Sequence, residues 1–232
     1  EISDGNNALV VAPTGSGKTL AAFLWAINAL VVPSGQLLLD ATGERSVPKK
    51  DKGAGVRVLY ISPLKALGVD VGANLHAPLL GIARTALRLG EPAPQITVGV
   101  RSGDTPQSER SRQVRNPPDI LITTPESLYL MLTSKAKDIL TSVDTVIVDE
   151  IHALAVTKRG VHLALSLERL AELAPQHVKR IGLSATVRPL ERVASFLGGK
   201  EPVSIVAPGA EKRWQLDVHV PVSYTHLTLP TS

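Results

Sequence analysis

Residues 12–19 read Ala12-Pro13-Thr14-Gly15-Ser16-Gly17-Lys18-Thr19. They follow the apolar run Ala8-Leu9-Val10-Val11 and precede a segment of helical character that begins at Leu20. Strand, glycine-rich turn, Lys-Thr and helix is the layout of a phosphate-binding loop. Glycines at 15 and 17 let backbone N–H groups converge on a polyphosphate, because no Cβ blocks close approach. The helix start adds unpaired N–H groups and partial positive charge. In this reading Thr14, Gly15, Ser16 and Gly17 cradle phosphate, Lys18 neutralises the β- and γ-phosphates, and the Thr19 hydroxyl holds Mg²⁺. The loop begins with Ala12 where the strict pattern begins with Gly.

A second chemical segment is Thr145-Val146-Ile147-Val148-Asp149-Glu150-Ile151-His152. An apolar strand delivers two carboxylates at its end. Phosphate-loop enzymes need an acid there for the metal, a role that fits Asp149. Hydrolysis also needs a group that orients or deprotonates the attacking water, for which Glu150 is the candidate. His152 is read as coupling the nucleotide to a neighbouring motif. Ser184-Ala185-Thr186 follows another short apolar run, and its hydroxyls are candidates for bridging the acidic motif to a further site. Ser or Thr after a strand is also an everyday helix cap, so this triplet gains its meaning from order and spacing.

The elements that must position these residues alternate. Strand-like runs cover residues 8–11, 56–61, 96–100, 120–123, 145–148 and 180–183; helical segments cover 18–30, 70–89, 125–133, 160–173 and 189–197. Several strands are apolar throughout, as expected when both faces are covered. The alternation predicts an α/β fold, a doubly wound and mostly parallel sheet whose ligands bind beyond the carboxyl ends of its strands. Residues 33–55, with Lys49-Lys50-Asp51-Lys52, read as a long surface loop.

The chain has 232 residues, 44% hydrophobic and 20% charged, in the range of soluble globular proteins. Its net charge of +4 permits a polyanionic partner. With no cysteine, disulfides and thiolate metal sites are excluded. No apolar run is long enough to span a bilayer, so no membrane role is expected. Residues 222–232 contain no Lys, Arg, Asp or Glu, and the string VSYTHLTLPT reads as a translated sequencing adapter. We therefore expect one domain over residues 1–220, cut at both ends, followed by a non-native tail at 221–232.

Taken together, APTGSGKT, SPLKAL at 62–67, TPES at 124–127, DEIH and SAT resemble, in order, the motifs of superfamily 2 helicases. The segments RVLYISPLKALGVDV, GVRSGDTP, PPDILITTPESLYLML, TVIVDEIHALAVTKRGVHLALSLERL and RIGLSATVRPLERVASFLGG are closer still to the large helicase-related (Lhr) proteins. The resemblance implies a RecA-like lobe that binds ATP and Mg²⁺ on one edge and single-stranded nucleic acid on another. It implies a cytoplasmic ATP-driven translocase, 3′ to 5′, acting on DNA or RNA–DNA duplexes. A second RecA-like lobe with arginine fingers is expected as a partner and is missing from this sequence. Pro63, Leu64, Lys65, Ser102, Gly103, Asp104, Thr105, Thr124, Pro125 and Glu126 match the family's nucleic-acid-facing loops, with Glu126, an acid, more suited to bracing its loop. Arg101, Arg110, Arg112 and Arg115 are either a track for the strand or, for the last three, a solvated helix face. Aromatics at 3% argue for backbone-led, salt-sensitive binding in place of base stacking. Two alternatives stay open: a Ski2-like RNA helicase lobe, and an ATP-binding module that binds nucleic acid without turnover.

Overall fold

A computed structural model describes residues 6–31, 38–39, 45–46, 55–186 and 188–208, with backbone alone at 38–39, 45–46 and 65–69. Seven strands form one sheet: β1 (Asn7–Val11), β4 (Val58–Ile61), β5 (Val98–Arg101), β6 (Ile120–Thr123), β7 (Thr145–Val148), β8 (Lys179–Ser184) and β9 (Val203–Val206). Their spatial order is β5-β6-β4-β7-β8-β1-β9, and every pairing is parallel. The expected mostly parallel sheet is thus parallel throughout. Within the segment read as a surface loop, β2 (Leu38–Leu39) and β3 (Arg45–Ser46) pair antiparallel as a separate ribbon. The lysine cluster at 49–52 and the tail at 221–232 lie outside the described residues.

Alternation along the strands sorts side chains into two layers. Val58, Tyr60, Ile120, Ile122, Ile147, Ile181 and Leu183 pack with α1 (Lys18–Val31) and α2 (Lys65–Arg88). Leu9, Val11, Leu59, Ile61, Leu121, Val146 and Val148 pack on the other face with α4 (Pro125–Leu132), the 3₁₀ turn Lys135–Leu140, α5 (Ile151–Leu154), α6 (Lys158–Leu173) and α7 (Leu190–Gly198). Covering both faces is what an all-parallel sheet requires, because its strands are joined by crossovers. The polar helix α3 (Gln107–Arg115) follows β5. Its only buried side chain is Gln113, whose amide donates to the Val100 carbonyl at 3.0 Å. Among the described residues no helix is long and apolar enough to cross a membrane.

Helix starts are set by local chemistry. The Thr124 hydroxyl accepts the Ser127 N–H and Pro125 occupies the first turn of α4, where its missing N–H costs nothing. The Thr157 hydroxyl caps α6 by accepting the Gly160 N–H at 3.1 Å. Gly160 sits so close to the end of α5 that a Cβ there would lie 2.0 Å from the Leu154 carbonyl oxygen. This contact fixes α6 against the short helix that carries His152. Gly160→Ala should therefore destabilise the fold by about 1–3 kcal/mol, as overpacking does. A thermal melt should show a drop of roughly 2–10 °C; an unchanged midpoint would refute the close approach.

Candidate functional site

Because all seven strands run the same way, every motif sits at one edge of the sheet. The order divides that edge. β1, β8 and β7 are neighbours and end in the glycine loop, Ser184 and Asp149; β4, β6 and β5 are neighbours and end in Ser62, Thr124 and Ser102. Ladder hydrogen bonds continue past the strands and tie the loops together. The Ala12 N–H donates to the Ser184 carbonyl at 3.2 Å, Asp149 N–H to Ile61 at 2.9 Å, and Ser62 N–H to Thr123 at 2.9 Å.

In the glycine loop, Gly15 and Gly17 take φ of +79° and +84°, a conformation that side chains disfavour. The space where their Cβ atoms would lie is open to 4 Å, so an incoming ligand can approach the backbone. Thr14 to Gly17 are exposed. Lys18 is buried, and its ammonium donates to the Ala12 and Pro13 carbonyls at 2.8 and 3.0 Å. The charge that would meet phosphate is held against the loop's own backbone.

Asp149 is only 4% exposed, and a buried carboxylate needs partners. It has two. The Glu150 N–H donates to Oδ1 at 2.9 Å, and the Tyr60 hydroxyl donates to Oδ2. Burial, followed by the Asp149 charge, pushes the Tyr60 phenol far above its ordinary range, so it remains a donor. Tyr60 escapes a reading of the sequence because it lies in an apolar strand and meets Asp149 only through the β4–β7 pairing.

Glu150 adopts φ 46° and ψ 39°, a left-handed conformation rare for a side-chain-bearing residue, and so turns the chain sharply out of β7. His152 Nε2 lies 3.4 Å from Glu150 Oε2, while its Nδ1 accepts the Ala185 N–H at 3.3 Å. A ring nitrogen that accepts cannot carry the proton, so the neutral imidazole bears it on Nε2, facing Glu150. His152 thus spans Glu150 and the segment after β8. The Ser184 hydroxyl donates to the Ala185 carbonyl at 2.8 Å, and Thr186 is exposed. Among the described residues, the contact between His152 and this segment runs through the Ala185 backbone N–H.

On the other half of the edge, Pro63, Thr124 and Pro125 are buried, whereas Leu64, Gly103 and Asp104 are exposed and Ser102 and Thr105 half-buried. Lys65 opens α2. Glu126 pairs bidentately with Arg159 of α6, and that guanidinium holds its carboxyl below the usual range. Arg110 is spent internally: its guanidinium donates to the carbonyls of Thr105 (2.8 Å), Ser102 (3.2 Å) and Gly103 (2.7 Å). Arg101 donates to the Arg110 carbonyl at 3.3 Å, and Arg112 pairs with Glu109 at 2.8 Å. Burial and the Arg110 charge lower the Arg101 pKa. Arg110 shapes the 102–105 loop from within, and the sequence alone does not distinguish that from an arginine aimed at solvent.

Among the described residues, no group of three His, Cys, Asp or Glu side chains could hold a metal. Mg²⁺ does not need one. It is usually bound by one or two carboxylates together with substrate phosphates. A buried Asp149 at the same sheet edge as an open glycine cradle fits that mode.

With this geometry in hand, comparison with known proteins is specific. The model of the DEAD/DEAH box helicase family matches residues 1–193. The Lhr helicase and probable uracil glycosylase of Mycolicibacterium smegmatis is 61% identical over 221 residues, 95% of this chain and 14% of that protein. The Lhr helicase/uracil glycosylase of Escherichia coli is 55% identical over 217 residues, covering 94% of this chain and 14% of its own length. The structure of Mycobacterium smegmatis helicase Lhr bound to ssDNA and AMP-PNP superposes with a TM-score of 0.81 at 61% identity, over 95% of this chain and 26% of that one. The fold is that of a RecA-like helicase domain. This chain spans about a seventh of the length of these two curated relatives.

The Arg110 contacts yield a test. Arg110→Ala should speed amide hydrogen exchange at residues 102–105 while leaving β5 and β6 protected. Arg110→Lys should not restore protection, since an ammonium offers its donors from a single nitrogen, whereas the guanidinium reaches the three carbonyls from Nε and Nη2. Unchanged exchange in Arg110→Ala would remove its role in shaping the loop.

Proposed function

This chain belongs to the DEAD/DEAH box helicase family, and from that premise we propose that it is the ATP-binding motor lobe of an Lhr-type, ATP-dependent helicase. The observation that carries the proposal is the meeting, at one edge of the sheet, of an open glycine cradle, Lys18, Thr19 and a buried Asp149 with Glu150 beside it. In this reading the loop's backbone N–H groups and the start of α1 bind the polyphosphate. Lys18 exchanges its two carbonyl partners for phosphate oxygens. Thr19 and Asp149 hold Mg²⁺, which when bound neutralises charge developing on the phosphates. Glu150 orients water, and His152 relays its position to the segment after β8.

The nucleic acid is proposed to lie along the ends of β4, β6 and β5. Support comes from the helix starts after Pro63 and Thr124 and from the backbone-rich 102–105 loop, features suited to phosphate contacts. DNA is favoured over RNA because the solved relative at 61% identity holds ssDNA. A translocation cycle would require a second lobe that closes on this one.

Lys18→Ala should abolish binding of a fluorescent ATP analogue while leaving the circular dichroism spectrum intact. Retained affinity would sink the phosphate-loop assignment. In the full-length protein, Glu150→Gln should still bind nucleotide but lose about 10²–10⁴-fold in ATPase rate, the usual contribution of a positioned base. An unaltered rate would move the water-orienting role elsewhere; a wild-type protein without turnover would favour a binding module. Single-stranded DNA affinity should fall steeply with salt and vary little with sequence, checked by fluorescence anisotropy at several ionic strengths.

A further inference from the structure

Tyr60 occupies a place where phenylalanine would satisfy the core. Its ring is fully buried and stacks on Phe23 of α1, with centroids 4.9 Å apart and planes inclined by 26°. Its hydroxyl, however, lies where three segments meet. It comes from β4 and donates to Asp149 Oδ2 at the end of β7, while the ring that carries it packs on Phe23 of α1. One buried hydroxyl therefore holds a carboxylate assigned above to the metal.

We propose that Tyr60 is a positioning residue of the metal–nucleotide site, fixing the Asp149 carboxylate for Mg²⁺ through its hydroxyl. The inference rests on the nucleotide reading given above. Its geometry is complete without the metal. Each Asp149 oxygen receives one donor, Tyr60 on Oδ2 and the Glu150 N–H on Oδ1. An ionised carboxylate has about four acceptor sites, so both oxygens keep capacity for a metal ion or its water. Two donors, one from β4 and one from the turn after β7, stop the carboxylate from rotating. The Phe23 stack in turn ties the phenol to the helix that follows the phosphate loop, so the carboxylate and the cradle are held to each other. Groups that orient a metal ligand from behind typically account for about 10–100-fold in metal affinity.

The test is Tyr60→Phe in the 232-residue chain, which keeps the ring and its stacking. A fluorescent ATP analogue is titrated in excess Mg²⁺ and again in EDTA, and Mg²⁺ is titrated at fixed nucleotide. We expect about tenfold weaker binding in Mg²⁺, an equal rise in half-saturating Mg²⁺, and unchanged affinity in EDTA. A purely structural role would weaken both conditions together, and that result, or no change in either, overturns the proposal. Asp149→Asn provides the second arm. If Tyr60 acts through Asp149, adding Tyr60→Phe to Asp149→Asn causes no further loss in Mg²⁺; additive losses overturn it even where one variant is less stable. Wild-type binding indifferent to Mg²⁺ would instead overturn the underlying nucleotide–metal reading, and this inference with it.

Discussion

Burying a carboxylate at the end of a strand is the constraint from which the rest of this carboxyl edge follows. Asp149 has lost its water, so its oxygens must be met by donors in fixed places. One donor is the next peptide N–H, at the head of the left-handed turn that Glu150 makes. The other is Tyr60, which can be supplied only because β4 lies directly beside β7. The strand order is thus part of the site. The same turn that feeds a proton donor to Asp149 carries Glu150 toward His152, and His152 reaches the Ala185 N–H beyond β8. A chain of contacts runs across three strand ends without leaving the sheet edge.

The sheet order also separates two chemistries that one chain must keep apart. Loops at β1, β8 and β7 are glycine- and acid-rich, with one held lysine. Those at β4, β6 and β5 show backbone, proline and hydroxyl groups, with their arginine and glutamate charges paired or turned inward. Tyr60 sits on β4, the boundary strand, and faces the first group. Arg110, Glu126 and Arg159 act within the second group, where they shape loops and brace helix starts.

Much of this was legible in the sequence, for a physical reason: phosphate binding constrains consecutive residues. The glycine loop and the strand ending in Asp149 are local patterns, and β6 and β7 match their expected bounds because an apolar four-residue run buried on both faces has sharp edges. The helix after 62–64 starts at Lys65, five residues earlier than its apolar pattern suggests, because the turn after Pro63 already commits the backbone. Elements without periodicity were harder to read. The helix α3 is almost wholly polar and was legible only as one of two options for its arginines, and β9, short and only half-buried at the sheet edge, stayed hidden. Tyr60 and Asp149 stand 89 residues apart, and Arg110 spends its charge on carbonyls. Such pairings belong to topology, which no local pattern encodes.

The position of β1 carries a consequence for how this molecule is made. Its ladder partners are Ile181 and Leu183 on one side and Val203 and Val206 on the other, all far downstream. At a synthesis rate of about 5–20 residues per second, some 10–35 s separate the emergence of β1 from that of β8. Until then an apolar strand bearing the phosphate loop has no neighbour at either edge, a state prone to aggregation and suited to a chaperone's grip. Closing so long a loop is also slow entropically. The cradle for nucleotide is therefore among the last parts of the lobe to assemble, and ATP cannot act as a template for its early folding.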